Sequence, residues 1–239
     1  MAFTLESKIN AAKSGGNNNT NAGNSFDDST FKIFNPNAND FFKFQGEKYD
    51  LAIKNINGQI EKHSVLNQED AKAIFTKFAA NPTQNAKNFS AEEKGYLVNW
   101  IIETIFFLEI NDKTIALFDL LRILTLNEDY TALLLNNEDK VEKVIKFFDK
   151  DEGAVKDIQR GLKLILLRLI ANLTATNKSK EFFEKNLIWF GKLWAKLGVI
   201  FGEDKAPLYA VLMAMQNLSQ QFAKKKEFEE LKLDFIRVA

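Results

Sequence analysis

The sequence predicts an all-α chain built as an armadillo/HEAT-like α-solenoid, and three observations carry that reading. Apolar residues recur at three- and four-residue spacing, with no convincing alternation of two, and this is the helical period. The stretch Gly161–Glu184, GLKLILLRLIANLTATNKSKEFFE, opens with a run from Leu162 to Leu173 interrupted only by Lys163, Arg168 and Asn172. A helix apolar almost all round packs on more than one side. Finally, pieces of this stretch return. Lys180–Glu184 (KEFFE) recurs as Lys226–Glu230 (KEFEE), Asn172-Leu173-Thr174 as Asn217-Leu218-Ser219, and Arg168 in LLRLI has a counterpart in Arg122 of LLRIL. The offsets are 45 or 46 residues, inside the roughly 40–47 of HEAT and armadillo units, whose apolar helices are covered only by stacking on a neighbouring unit.

The 239 residues divide into an Asn/Gly-rich tail, 1–30, and a helical domain, 31–239. Ser14–Asn24, SGGNNNTNAGN, has nothing to bury and reads as a flexible linker. Phe26–Phe44 is an aromatic-rich entry with turn signals at Pro36 and its asparagines. A helix follows to Asn57, stopped by Gly58, and a second runs from Gln68 to Ala80 with Pro82 beyond its end. Asn81–Phe89 reads as a polar loop. Ser90-Ala91-Glu92-Glu93 is a capping box opening a helix to about Glu109. Helices are then expected at 113–126, 129–135, 138–149, 155–175 and 178–199. Pro207 stands in the first turn of another, reaching Phe222, and 226–238 forms the last.

Composition narrows the function. Lys+Arg and Asp+Glu both number 32, which weighs against a general nucleic-acid binder, whose affinity comes from neutralising phosphates. There is no cysteine, hence no disulfide, thiolate metal site or Cys nucleophile. The N-terminus lacks an apolar signal core, and no run approaches the roughly 20 residues of a membrane span. A cytoplasmic location is expected, with nuclear or cytoskeletal variants, and not secretion. His63 is the single imidazole, too few for a metal site or a Ser–His pair, and no Gly-x-Ser-x-Gly elbow or phosphate loop occurs. Asp149–Gly153 (DKDEG) fails as a calcium loop: its glycine comes one position early and Arg160 occupies the place of the bidentate Glu. It reads as a loop with an acidic start to the next helix. Neither an enzyme nor a cofactor or metal is expected.

Basic residues on apolar helices remain. A charge there is costly unless paired or open to a groove. One reading pairs Arg122 with Asp119 or Glu103. The other lines a concave face with Arg122, Lys163, Arg168, Asn172 and Asn217 and forks the guanidiniums onto an acidic peptide. Lys224–Lys226 reads as a solvated turn, and Trp189, Phe190 and Trp194 mostly as core.

Several pieces in order resemble the PUL domain, the armadillo-like module of the phospholipase A2-activating-protein family of ubiquitin-pathway adaptors. They are FKIFNPNANDFFKF, NQEDAKAIFTKF, IALFDLLRILTLNEDYTALLLN, KLILLRLIANLTATNKSKEFFEKN and KAPLYAVLMAMQNLSQQFAKKKEF, over residues 30–233 and without the family's last repeat. The resemblance implies an adaptor whose basic groove takes an acidic C-terminal tail, that of the valosin-containing-protein AAA ATPase, with Arg122 and Arg168 at groove positions. A second reading keeps the fold and makes the chain a scaffold subunit of a cytoskeletal or ciliary (axonemal) assembly, its tail threading along neighbouring subunits. Both readings give protein partners, with no nucleic acid and no membrane.

Overall fold

A computed structural model describes residues 49–60, 69–222, 225 and 231, and among these there are helices and turns but no strand. The helices are α1 (Tyr49–Ile60), α2 (Glu69–Ala80), α3 (Pro82–Asn88), α4 (Ala91–Phe107), α5 (Ile115–Leu124) and α6 (Glu128–Leu135). They continue as α7 (Glu138–Lys146), α8 (Glu152–Asp157), α9 (Arg160–Thr174), α10 (Lys180–Lys185), α11 (Leu187–Ile200) and α12 (Lys205–Phe222). Two 3-10 turns, Asp112–Thr114 and Asn177–Ser179, precede α5 and α10. The tail, the aromatic entry, His63 and the expected last helix lie outside the described residues, apart from single positions of the last.

Caps set most boundaries. Ser90 Oγ accepts from the Glu93 N–H at 3.2 Å and the Glu93 carboxylate accepts from the Ser90 N–H at 2.9 Å, so the capping box opens α4. Asn111 and Asn127 accept from the N–H groups of Lys113 and Asp129 at 2.8 and 2.9 Å. Asp151 takes the Ala154 N–H at 2.9 Å, so the acidic loop does start a helix.

Four boundaries differ from expectation. Asn81–Phe89 is not a loop: Asn81 caps α3 and Pro82 takes its first position, where the missing N–H costs nothing. Gly58 does not stop α1, because no described glycine has the positive φ of a C-terminal glycine cap. The long helix at 155–175 is two, parted at Ile158–Gln159, where the Gln159 side chain accepts from the Leu162 N–H at 2.7 Å. The one at 178–199 is also two, meeting at Asn186, whose amide donates to the Phe182 carbonyl at 3.2 Å.

Packing follows chain order. α1 packs on α5, α5 on α9, and α9 on α12, while α2, α4 and α6 pack in succession beside them. α9, the apolar helix of the sequence, is thus covered on two sides, and Leu166, Leu167, Ile170 and Ala171 are fully buried. Under α11 lies an aromatic cluster in which Phe190 stacks on Trp194 at 4.4 Å, with Phe148 and Phe183 edge-on to them. Trp189, by contrast, is half-buried and turns its indole N–H to Asp149 at 3.4 Å.

The α4–α6 contact carries a buried cation. Lys94, 7% exposed, reaches Asp129 at 2.6 Å and lies 5.7 Å from the ring centre of Tyr130. The hydrogen bond and charge of Lys94 hold the Asp129 carboxyl below the usual carboxylate range. The Tyr130 hydroxyl is fully buried without a hydrogen-bond partner, and burial pushes its ionisation upward. Leaving a buried hydroxyl unmet costs about 1–3 kcal/mol. Tyr130→Phe is therefore expected to leave the midpoint of thermal unfolding unchanged or to raise it. A fall of several degrees would mean that the hydroxyl has a partner in solution.

Candidate functional site

The turns that follow α5 and α9 share one hydrogen-bond scheme. The Thr131 hydroxyl donates to the Thr125 carbonyl at 3.1 Å, and the Ser179 hydroxyl donates to the Leu173 carbonyl, each spanning six residues. These turns are 48 residues apart, not 45 or 46. Counted from them, Arg122 and Arg168 are not equivalent positions, since Arg122 stands three residues before Thr125 and Arg168 five before Leu173. The Arg122 charge instead acts on Arg168 across the α5–α9 contact.

Arg122 is 8% exposed, and its Nε donates to Asp119 at 2.7 Å, one turn back on α5. Glu103, the other carboxylate considered for it, pairs with Lys140. Arg168 is half-buried on α9. Burial first, and then the nearby Arg122 charge, push its guanidinium below the usual arginine value, while Asp119 opposes them. Both arginines take part in further interactions besides these. The charges of Arg122, Asp119 and Arg168 therefore act on one another at the α5–α9 contact.

The other three candidates do different work. Asn172, fully buried, donates its amide to the Arg122 carbonyl at 3.1 Å and so fastens α9 to α5. Asn217, also fully buried, donates to the Ala171 carbonyl and the Thr174 hydroxyl, both at 3.2 Å, and fastens α12 to α9. Their side chains are committed inside the helix contacts, each as a second donor to a carbonyl that the Thr125 or Thr174 hydroxyl also serves. Lys163, 7% exposed, donates to the Lys156 carbonyl at 2.9 Å and lies 5.3 Å from the Phe201 ring centre. Burial lowers its pKa, Asp204 and Asp157 oppose that, and Arg160 adds to it. It is engaged near the start of α9, by α8 and Phe201, and does not join the arginines.

Gln221 is a residue that sequence reasoning missed. Its amide donates to the Thr174 carbonyl at 2.8 Å and the Thr176 carbonyl at 3.2 Å, closing the end of α9 against α12. The signal was the i, i+4 spacing from Asn217 on a helix face that is otherwise apolar.

Other sites for chemistry are sparse. Among the described residues no three His, Cys, Asp or Glu side chains gather as a metal site would require. No described helix is long and apolar enough to cross a membrane. An apolar crevice of about 20 Å³ between α4, α5, α7 and α9, lined by Ile102, Phe118, Val144 and Leu169 among others, has room for about one water. Compared with family models, curated proteins and solved structures, the chain matches none.

Proposed function

We propose that the chain is a non-enzymatic protein-interaction module, an armadillo-like α-solenoid akin to a PUL domain, whose basic spot at Arg122 and Arg168 anchors an acidic peptide or C-terminal tail. The tail of the valosin-containing-protein AAA ATPase is the example that the resemblance supplies. The observation carrying this reading is that Arg168 stands half-buried on α9, at its contact with α5, where it feels the charge of Arg122, itself oriented by Asp119. The order of that row supports the solenoid, since each helix leans chiefly on the one before and the one after.

Arg168 is the anchor and Arg122 its support. Arg168 is the more exposed of the two, and guanidinium forks hold carboxylates in paired hydrogen bonds that a lysine point charge does not reproduce. Calorimetry with an acidic C-terminal-tail peptide tests the reading. Arg168→Gln is expected to weaken binding at least about tenfold, and Arg168→Lys to recover only part of it. Equal affinities for the three chains, or no binding by the unaltered one, would remove the groove.

A further inference from the structure

Helix α4 shows solvent one narrow stripe. Beyond its first turn the exposed residues are Tyr96, Asn99, Glu103 and Phe107, and Glu92 continues the row backwards. At about 100° per residue these five fall within roughly 80° of arc. Past the first turn, every other residue of the helix is buried or half-buried.

Two large aromatics stand at the ends of the stripe, Tyr96 with 56% and Phe107 with 63% of its surface exposed. They are about three helical turns apart, roughly 16 Å along the axis. Between them lie two polar groups of opposite hydrogen-bonding character. Asn99 accepts from the Asn137 side chain at 3.4 Å, which engages its oxygen and keeps its N–H pair to donate. Glu103 accepts from Lys140 of α7 through one oxygen, so its charge is met within the chain while the other oxygen remains an acceptor.

The stripe is its own complement. Aromatic, donor, acceptor, aromatic in one direction becomes aromatic, acceptor, donor, aromatic in the other. An antiparallel copy centred near Ile101 sets Tyr96 against the second copy's Phe107 and Asn99 against its Glu103, each contact made twice, and a two-fold interface requires that self-complementarity. Charge favours the same direction. Exposed Glu92 lies at the Tyr96 end. At the Phe107 end is Lys143, 5.9 Å from the Phe106 ring centre and 3.9 Å from Asp139. Antiparallel copies bring these unlike charges together, whereas parallel copies set each against its own kind.

We propose that α4 is a self-association surface, pairing antiparallel with α4 of a second copy through Tyr96, Asn99, Glu103 and Phe107. The two exposed aromatics offer roughly 250 Å² per copy, about a third of what each side of a standard stable complex buries. The dimer is therefore a weak one, formed at high protein concentration and lost on dilution. This inference does not rest on the arginine spot.

The chain has no cysteine, so introduced thiols report on this contact alone. At high concentration with oxidised glutathione, the Tyr96→Cys/Phe107→Cys chain is expected to form disulfide-linked dimers at least about tenfold faster than either single variant. In the single variants the thiols of the two copies lie roughly 16 Å apart, far outside disulfide reach, and the same distance prevents a bond within one chain. Light scattering over a concentration series is the second arm. The mass of the unaltered chain is expected to rise towards that of a dimer, while Tyr96→Asp and Phe107→Asp hold at the monomer with melting midpoints close to that of the unaltered chain at low concentration. Single variants that crosslink as fast as the double one overturn the antiparallel pairing. A dimer that persists in Phe107→Asp overturns the proposal, and so does a chain that stays monomeric at every concentration.

Discussion

Truncation of Trp194 to alanine is expected to lower the unfolding free energy by about 3–5 kcal/mol, the range for a large aromatic removed from a closed core. The side chain is fully buried, stacks on Phe190 at 4.4 Å and meets the edge of Phe148 at 6.4 Å, so no neighbour is placed to fill the space. For a chain of this size each kcal/mol shifts the melting midpoint by about 2–4 °C, and the fall should be on the order of 10 °C. Trp194→Phe is the informative control. The indole N–H is buried without a partner, so phenylalanine removes an unmet donor along with part of the volume and should cost far less. Urea unfolding of both variants checks this. A loss below about 1 kcal/mol for alanine would mean that the α11 cluster is not closed in solution.

The second large effect belongs to Asn172. Asn172→Ala removes the interhelical donor to the Arg122 carbonyl, which keeps the Thr125 hydroxyl at 3.0 Å, so the lost hydrogen bond costs about 0.5–1.5 kcal/mol and the loss of packing in a fully buried site adds to it. Asn172→Leu is expected to be no better, since added apolar volume cannot replace the hydrogen bond between the helices. Asn217→Ala should behave alike at the α9–α12 contact. Denaturant midpoints for the single and double variants measure this. If Asn172→Leu is as stable as the unaltered chain, the amide does not hold the two helices together.

These two positions also show what the sequence reveals and what it conceals. The apolar run made α9 a buried helix, and Asn172 stood out as a break in it. Its partner is a backbone carbonyl 50 residues away, which has no letter in the sequence, so the amide read equally well as a groove ligand. Arg122 was easier, because Asp119 lies one turn away on the same helix and i, i+3 pairs are visible in sequence. The action of Arg122 on Arg168 was not legible as such. Equal spacing suggested parallel roles, whereas the turn scheme sets the repeat at 48 residues and makes the two positions non-equivalent. The Ser-x-x-Glu cap was found where it was expected, but Pro82 was not, since the same residue ends one helix or begins the next according to the cap before it.

The order in which the row of helices packs bears on how the chain reaches its native state. α5 meets α1 and α9, and α9 meets α5 and α12, so the main contacts close loops of moderate length and none needs the two ends of the row to find each other first. Such a layout favours growth outward from a central pair, because the entropy of closing each new loop stays small. α5 and α9 hold the middle of the row, and the amide of Asn172 joins them. The turn hydroxyls of Thr131 and Ser179 fasten the turns at the ends of these same two helices, so each latch closes a loop of only six residues.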